Sequence, residues 1–222
     1  MDNNFYQLNS SLSNVVIEYI TEKIFTGEYK AGDRIIERKI AEDLQISRSP
    51  IREAIKVVQQ QGLVEFSPRK GSYVAVKSKE DIKEIFSIRC LLESDIIEIL
   101  IKEDLLNGDD FIMMEKITEE MDEVARSKES IEKKVYEMSK KDIMFHKYIW
   151  EKSKSKLRIK ILSDMYLNLQ LAMILDTNIE QNIEDSGIEH RLIIDALKNK
   201  DIEKAKNYLI NHIVSYRARI LE

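Results

Sequence analysis

The stretch GDRIIERKIAEDLQISRSPIREAIKVVQQQGLVEFSPRKGSYVAV, residues 32–76, decides the fold of the N-terminal part of the chain. Apolar side chains recur at helical spacing over residues 36–44, which predicts a short helix followed by a tight turn. A second helix is predicted to begin with Ser49 as its N-cap and Pro50 at its first helical position, and to end at Gly62. Two short helices joined by such a turn form a helix-turn-helix.

Alternation in the sequence indicates a β-hairpin after the second helix. Residues 63–66 and 72–76 alternate as two strands would, and the turn-forming residues 68–71 separate them. Arg69 and Lys70 make the tip of this hairpin basic. A helix-turn-helix followed by a wing of this kind is a shape that lies in a DNA groove.

The outer face of the second helix carries side chains suited to reading bases. Arg48 and Arg52 lie four residues apart near its N-terminal end, and arginine makes bidentate contacts with guanine in the major groove. Arg38 can reach the same groove, and the basic wing tip suits the minor groove. The alternative is that these are ordinary solvated charges on a small helical domain. Their clustering beside the turn favours DNA contact.

The segment resembles the winged helix-turn-helix domain of the GntR family of bacterial transcription regulators. The resemblance covers about the first third of the chain, on Gly32, Arg34, Glu37, Ile40, Ala41, Leu44, Ser47, Arg48, Pro50, Arg52, Glu53, Ala54, Gly62, Leu63, Val64 and Gly71. The sequence departs from the family pattern at two positions, where Ala31 replaces a proline and Gln45 replaces the turn glycine. A positive φ at Gln45 would cost about 1 kcal/mol. The predicted DNA-binding residues are Arg34, Arg38, Ser47, Arg48, Ser49, Arg52, Arg69, Lys70 and Gly71.

Composition limits what the rest of the chain can be. With 222 residues, two prolines and six glycines, the chain is long enough for two domains and is expected to be mostly helical. The single cysteine excludes an intramolecular disulfide and fits a reducing compartment. Neither a signal-peptide pattern nor an apolar run of about 18–20 residues is found. A cytoplasmic protein without a membrane segment is therefore expected.

The net charge of −5 is unevenly distributed. Residues 34–70 hold eight lysines and arginines against five acidic residues, whereas residues 77–222 hold 25 against 30. Attraction to DNA depends on the local patch, and a modest patch implies that a single copy binds weakly. We therefore expect a homodimer on a two-fold double-stranded DNA operator.

From residue 79 onward the sequence predicts about six helices joined by short polar connections. The predicted spans are 79–106, 109–127, 131–152, 156–176, 179–198 and 202–221. Short connections between long helices make neighbours antiparallel. The fold class is therefore mainly α, with an N-terminal winged helix-turn-helix over residues 1–76 and an antiparallel all-α bundle over residues 77–222.

All three histidines fall on predicted buried stripes of different helices. His146 follows Asp142 by four residues, so the two project from one face. His190 and His212 each lie at core spacing in the last two helices. Imidazoles and a carboxylate that converge in a core are the ligands a divalent transition metal uses, with zinc, nickel and manganese as candidates. The alternative is three independently satisfied core histidines.

The second domain looks like the FCD ligand-binding domain of the FadR branch of the GntR family. Other marks of the resemblance are Arg89, Leu92 and Glu93, and the run from Glu189 to Leu197. The resemblance implies that Asp142, His146, His190 and His212 bind a divalent metal in an effector-binding and dimerisation domain. Ser155 replaces an asparagine that commonly caps the fourth helix and is expected to cap it.

Arg89 and Glu93 are the candidate ligand-binding residues beside the metal set. Arg89 is predicted to point inward one turn before Glu93, where it can pair with the carboxylate of a small organic acid. The alternative is a structural salt bridge between Arg89 and Glu93. Both interpretations remain open from the sequence.

The sequence therefore predicts a metabolite-responsive transcription regulator rather than an enzyme. Three histidines and one aspartate leave positions on the metal open for a small carboxylate. A second interpretation is a regulator that senses the metal itself. A third is a metalloenzyme bundle fused to a DNA-binding module, but di-iron bundles use Glu-x-x-His motifs, and no glutamate stands three residues before a histidine here.

Overall fold

A computed structural model describes the backbone of residues 3–174, 183 and 185–218, and the side chains of residues 12–174, 183 and 185–213. The chain divides into two compact units, Met1–Lys77 and Ser78–Glu222. The predicted fold class, a winged helix-turn-helix followed by a helical domain, is confirmed.

From residue 3 onward, the first unit contains three helices and a small sheet. Its elements are α1 (Asn3–Phe25), β1 (Arg34–Ile35), α2 (Glu37–Leu44), α3 (Arg48–Gln60), β2 (Val64–Ser67) and β3 (Gly71–Val74). The strands are antiparallel in the order β1-β3-β2. α1 packs on α3, and the buried side chains Val16 and Ile20 of α1 and Ile51 and Ala54 of α3 contribute to this core. The packing leaves the opposite face of α3 to solvent.

The start of α3 differs from the prediction. Ser47, with extended backbone angles, is the N-cap, and Arg48 is the first helical residue. Pro50 therefore stands in the first turn but not at its first position. A proline is tolerated throughout this turn because its N–H groups have no partner within the helix. Ser49 lies inside the helix and is exposed.

Two further features of the first unit were not predicted. The strand β1 pairs Arg34 with Tyr73 and Ile35 with Ser72, and a two-residue strand is too short for alternation to reveal. The apolar stripe of Val16, Ile20 and Ile24 predicts a first helix over residues 10–25, whereas α1 already begins at Asn3. The positive φ considered for Gln45 is present, at 53°, at the C-cap of α2.

The second unit is all helical in its described residues. Its helices are α4 (Lys79–Lys102), α5 (Gly108–Arg126), α6 (Ile131–Lys152), α7 (Lys156–Asp164), α8 (Tyr166–Ile174), α9 (Ser186–Lys198) and α10 (Ile202–Ala218). α4 packs against α6, α7, α8 and α10, α5 against α6 and α9, and α9 against α10. These contacts enclose one apolar core that includes Phe86, Met114, Phe145 and Trp150.

Two helix boundaries in this unit differ from the prediction, and one expected capping hydrogen bond is not formed. α4 ends at Lys102 instead of residue 106, because Asp104 has a positive φ of 52°. The predicted helix 156–176 is divided at Met165 into α7 and α8, and neither proline nor glycine marks the break. Ser155 is the N-cap of α7, but its side chain makes no capping hydrogen bond and instead accepts one from Arg158. The predicted start at residue 179 lies outside the described residues.

None of the described helices is both long and apolar enough to cross a bilayer.

Candidate metal centre and nucleic-acid interface

The structure brings the four predicted metal ligands together inside the second unit. α6 supplies Asp142 and His146 one turn apart, α9 supplies His190 and α10 supplies His212. One possible ligand atom from each lies within 4.8 Å of the others, and all four side chains are buried. Burying four polar side chains together in an apolar core costs free energy unless they bind a common partner or one another.

Each imidazole is oriented by a hydrogen bond at its Nδ1 atom. His146 Nδ1 lies 2.5 Å from Glu93 Oε2, and His190 Nδ1 lies 2.7 Å from the carbonyl oxygen of Ser186. His212 Nδ1 lies 2.7 Å from Glu189 Oε2. These acceptors keep the Nδ1 proton in place and turn each Nε2 atom inward. The same arrangement orients metal-binding histidines in proteins generally.

The inward Nε2 atoms surround one carboxylate oxygen. Asp142 Oδ1 lies 2.8 Å from His212 Nε2, 3.3 Å from His190 Nε2 and 3.8 Å from His146 Nε2. Of these, the Nε2 atoms of His146 and His190 are fully buried and have no hydrogen-bond partner. An unpaired buried polar atom costs about 1–3 kcal/mol, so two in one place indicate a missing partner.

The electrostatics leave two imidazoles neutral and one charged. Burial, assisted by Arg89, lowers the pKa of His146 to about 4. Burial and the neighbouring His212 also lower the pKa of His190. Burial alone would lower the pKa of His212, but Asp142 and Glu189, one on each ring nitrogen, raise it to about 9. At neutral pH the cluster therefore offers two free Nε2 lone pairs and one that carries a proton.

Arg89 and Glu93 hold the metal-ligand set in place, and both are buried. Arg89 Nε lies 2.7 Å from Glu93 Oε1, which is the structural salt bridge considered from the sequence. Arg89 Nη2 also donates to Asp142 Oδ2 at 3.0 Å, a contact that the sequence analysis missed. Burial opposes ionisation of both acids, but nearby groups outweigh it. His146 and Arg89 lower the pKa of Glu93 to about 2. Arg89, His146 and His212 hold the pKa of Asp142 well below its usual value.

The donor set fits a divalent transition metal. Imidazole nitrogen and carboxylate oxygen suit zinc, nickel and manganese alike. Ligand bonds of about 2.0–2.2 Å place opposite ligands roughly 4.0–4.4 Å apart, so a small inward movement of the side chains is sufficient. Three imidazoles and one carboxylate would leave coordination positions open in a five- or six-ligand shell.

Glu189 and Ser186 were not predicted as groups that orient the histidines. Ser186 contributes only its backbone oxygen, for which no side-chain signal exists. Glu189 reaches His212 across 23 residues of sequence, and only the packing of α9 on α10 brings them together.

Most of the predicted DNA-binding residues lie on exposed surface of the first unit. Arg48 and Arg52 project from the N-terminal half of α3, and Arg38 projects from α2. Arg69, with a positive φ of 66°, stands at the turn between β2 and β3. The full set of exposed predicted residues is Arg34, Arg38, Ser47, Arg48, Ser49, Arg52, Arg69 and Lys70, and Gly71 is half-buried.

Two of these arginines have acidic partners that the sequence analysis did not consider. Arg52 Nε lies 3.0 Å from Glu37 Oε2, which links α3 to α2. Arg38 lies 3.5 Å from Glu42 on the same helix. Both ion pairs are solvent-exposed, so each contributes little to the free energy of unfolding. Either arginine can therefore leave its acidic partner and contact a phosphate or a base.

Gly71 is the first residue of β3, directly after the turn of the wing. Its φ is +100°, and a Cβ atom built there would lie 3.5 Å from the guanidinium of Arg34. That distance is an ordinary contact, so the backbone angle, and not a lack of space, favours glycine here. Gly71 stays a predicted DNA-binding residue, and its backbone angle also shapes the turn of the wing.

The first unit is a winged helix-turn-helix, and the second is a helical domain with four buried candidate metal ligands. This combination is typical of DNA-binding transcription regulators. Residues 12–74 match the family described as bacterial regulatory proteins, gntR family, and residues 84–215 match the FCD domain. The chain belongs to the GntR family of transcription regulators, with an FCD domain.

Relatives agree with this assignment, and a solved structure supports the fold. The HTH-type transcriptional regulator YdhC of Bacillus subtilis, described as uncharacterized, is 27% identical over 206 residues, which cover 91% of this chain and 89% of the relative. The gluconate operon transcriptional repressor of Bacillus subtilis is 29% identical over 87% of this chain and 79% of its own. The structure of Escherichia coli McbR/YncC superimposes with a TM-score of 0.76 at 19% identity over 95% of this chain and 97% of that one, which supports the fold.

We predict that divalent metal binding is coupled to proton release from His212. Its pKa of about 9 means that Nε2 carries a proton at pH 7, and the metal must displace it. The apparent association constant should therefore rise by about tenfold per pH unit between pH 7 and 8.5. Calorimetry in buffers of different ionisation enthalpy should detect about one proton released per ion at pH 7.

Glu189→Gln is the matched variant for this measurement. It removes one of the two carboxylates that raise the pKa of His212, so proton release at pH 8 should decrease. An affinity that does not change over this pH range would contradict the assigned protonation state.

We predict that Arg52→Ala and Arg69→Ala weaken DNA binding in different ways. Loss of a base contact by Arg52→Ala should cost about 1–3 kcal/mol on the preferred site and reduce its advantage over random DNA. Arg69→Ala should weaken binding to all sequences and lower the salt dependence by about one unit. Fluorescence anisotropy on both DNAs across a salt series measures the two effects.

Glu37→Gln serves as the control because it breaks the ion pair and leaves the Arg52 guanidinium in place. It should retain sequence preference. If Glu37→Gln loses as much affinity as Arg52→Ala, the arginine acts through the α2–α3 link and not through DNA.

Proposed function

We propose that this chain is a metabolite-responsive regulator of the FadR branch, in which a small carboxylate binds at a divalent metal held by Asp142, His146, His190 and His212. Residues 1–76 read a two-fold operator in the cytoplasm, and residues 77–222 hold the effector and the dimer interface. The observation that supports this most strongly is the convergence of three oriented Nε2 atoms on Asp142 Oδ1, two of them without a partner.

The charge balance of the cluster favours an anionic effector. Without metal, the buried carboxylates of Glu93 and Asp142 are balanced by Arg89 and by the His212 imidazolium. The carboxylate of Glu189, which contacts His212 Nδ1, is 33% exposed, so water solvates its charge. A divalent ion that displaces the His212 proton adds one net positive charge to the buried groups. One carboxylate restores neutrality, so a monoanionic acid is the ligand class that the metal-loaded site should attract.

Arg89 also has a donor available for that carboxylate. Its Nε and Nη2 groups are committed to Glu93 and Asp142, whereas Nη1 faces Met173 Sδ at 3.8 Å. A thioether is a weak acceptor. A ligand carboxylate that displaces Met173 would gain a charge-assisted hydrogen bond from Nη1. The structural and ligand-binding roles of Arg89 are therefore compatible, and Glu93 acts by orienting His146.

A related repressor indicates the same chemical class. The gluconate operon transcriptional repressor is named for the operon of a small monocarboxylate. The effector that we infer from charge balance alone belongs to that class.

The homodimer is proposed to use an apolar patch on α4 and α7. Leu91 and Leu157 are each 70% exposed, and Ile161 lies one turn beyond Leu157. The ion pair between Asp95 and Arg158 joins the same two helices beside these side chains. Exposed large apolar side chains grouped in this way mark association surfaces.

The experiment that tests the proposed function measures operator affinity in four states of the protein: metal-free, metal-loaded, and each of these with a panel of small acids. We expect an acid to change operator affinity only when the metal is present. If chelation alone switches the affinity and no acid does, the protein senses the metal itself.

We predict that His190→Ala abolishes the response to acid and preserves DNA binding. Loss of one of four ligands should lower metal affinity by at least about 100-fold. Ile193→Ala, a cavity-forming change in the same helix, is the control and should lower stability while it preserves the response. If His190→Ala only lowers the unfolding temperature, the histidine is a packing residue.

We predict that Leu91→Asp produces monomers. A buried charge on each side of a two-fold interface opposes association. Ile112→Asp alters a side chain that is 65% exposed on α5 and should leave the dimer intact. Light scattering after gel filtration at micromolar concentration reports the mass, and a wild-type monomer both free and on DNA would refute the dimer.

A further inference from the structure

A second buried polar contact lies beside the metal cluster and has no role in the mechanism above. Gln170 of α8 donates from Nε2 to Ser139 Oγ of α6 at 3.1 Å, and Ser139 in turn donates to the carbonyl oxygen of Tyr136 at 2.7 Å. Ser139 is fully buried, and Gln170 is 2% exposed.

The fold does not require this pair. Neither residue caps a helix, and the buried residues around Gln170 on α8 are Leu167, Leu169, Leu171, Ala172 and Met173. Replacing both partners of a neutral buried hydrogen bond by apolar groups of similar shape is nearly neutral for stability. A polar pair retained in an apolar contact between two helices therefore calls for another explanation.

The pair is connected to the metal cluster on both of its helices. On α6, Ser139 stands three residues before Asp142 and seven before His146, which places all three on one face. On α8, Gln170 stands three residues before Met173, whose sulfur faces Arg89 Nη1. A ligand held at the metal and at Nη1 would therefore extend towards Ser139 and Gln170.

We propose that Gln170 and Ser139 bind a hydroxyl group of the effector, so that the ligand class is a hydroxy acid. This inference rests on the proposed function of the metal-bound carboxylate site. The three residues from Ser139 to Asp142 correspond to about 4.5 Å along α6, roughly the length of three to four carbon atoms. The recognised hydroxyl therefore lies well away from the carboxylate.

The chemistry of the pair matches a hydroxyl better than other groups. A serine hydroxyl and a glutamine amide can each donate and accept, as can an alcohol. A second carboxylate would call for another cation, and an alkyl tail would call for apolar neighbours only. An acid that lacks the hydroxyl leaves Ser139 and Gln170 bonded only to each other and to Tyr136, so it gains no hydrogen bond from them.

The test compares acids of equal chain length with and without hydroxyl groups. The probes are 4-hydroxybutyrate against butyrate, and D-gluconate against hexanoate, titrated by calorimetry into the full-length metal-loaded protein. We expect the hydroxylated acid of at least one pair to bind about 5- to 20-fold more tightly, as one or two added hydrogen bonds allow. Gln170→Met and Ser139→Ala should reduce that ratio to within about threefold.

Two controls separate recognition from other causes. A hydroxyl next to the carboxylate can chelate the metal by itself, so preference in the gluconate pair counts only if Gln170→Met removes it. Leu169→Met places the same side chain at a neighbouring buried position of α8 and should preserve the ratio. The unfolding temperature of each metal-free variant is the second readout, because a purely structural pair would lower it and leave the binding ratio unchanged.

The outcomes distinguish this inference from the proposed function. If acids bind without hydroxyl preference, or if the preference survives in both variants, the hydroxy-acid inference is overturned and the carboxylate site stands. If no acid of either type binds the metal-loaded protein, the carboxylate site fails and the inference fails with it.

Discussion

The second unit depends on a single fully buried carboxylate. Asp142 has no access to water, so its charge must be compensated inside the core. Its Oδ2 atom is held by Arg89, and its Oδ1 atom faces the inward nitrogens of three histidines from three helices. Because α4, α6, α9 and α10 all supply a member of this network, a change at Asp142 acts on their mutual packing. This gives a small ligand a physical means of altering the bundle.

The neighbours of Asp142 give each imidazole a fixed role. Hydrogen bonds from the Nδ1 atoms to Glu93, Glu189 and the Ser186 carbonyl oxygen select the tautomer and the ring orientation. This order leaves two buried Nε2 atoms, those of His146 and His190, without a hydrogen-bond partner. A cluster built only for stability would replace them with apolar side chains, whereas a cluster built for a cation needs them.

Much of this arrangement could be predicted from the sequence, and the reasons for the rest are physical. The spacing of Asp142 and His146 on one helix and the apolar stripes around His190 and His212 were sufficient to place the four residues on buried faces. The helix-turn-helix was predictable because apolar periodicity and Gly62 mark its limits. By contrast, the N-cap of α3 was misplaced, since both Ser47 and Ser49 suit an N-cap and Pro50 is tolerated anywhere in the first turn.

Contacts between segments that are far apart in the sequence could not be predicted. The Arg89–Asp142 bond, the Glu189–His212 bond and the division of α7 from α8 depend on how helices pack, and no local residue signals them. The ion pair between Arg52 and Glu37 could not be predicted for the same reason, although both residues lie in the predicted helix-turn-helix.

The central claim is that these four side chains hold a divalent ion, and metal analysis combined with X-ray absorption of the purified protein tests it most directly. We expect one divalent ion per chain, with only nitrogen and oxygen ligands and the scattering signature of about three imidazoles, and loss of that ion in Asp142→Ala. Protein that takes up no stoichiometric ion from zinc, nickel or manganese solutions, or that keeps its ion in Asp142→Ala, would contradict it.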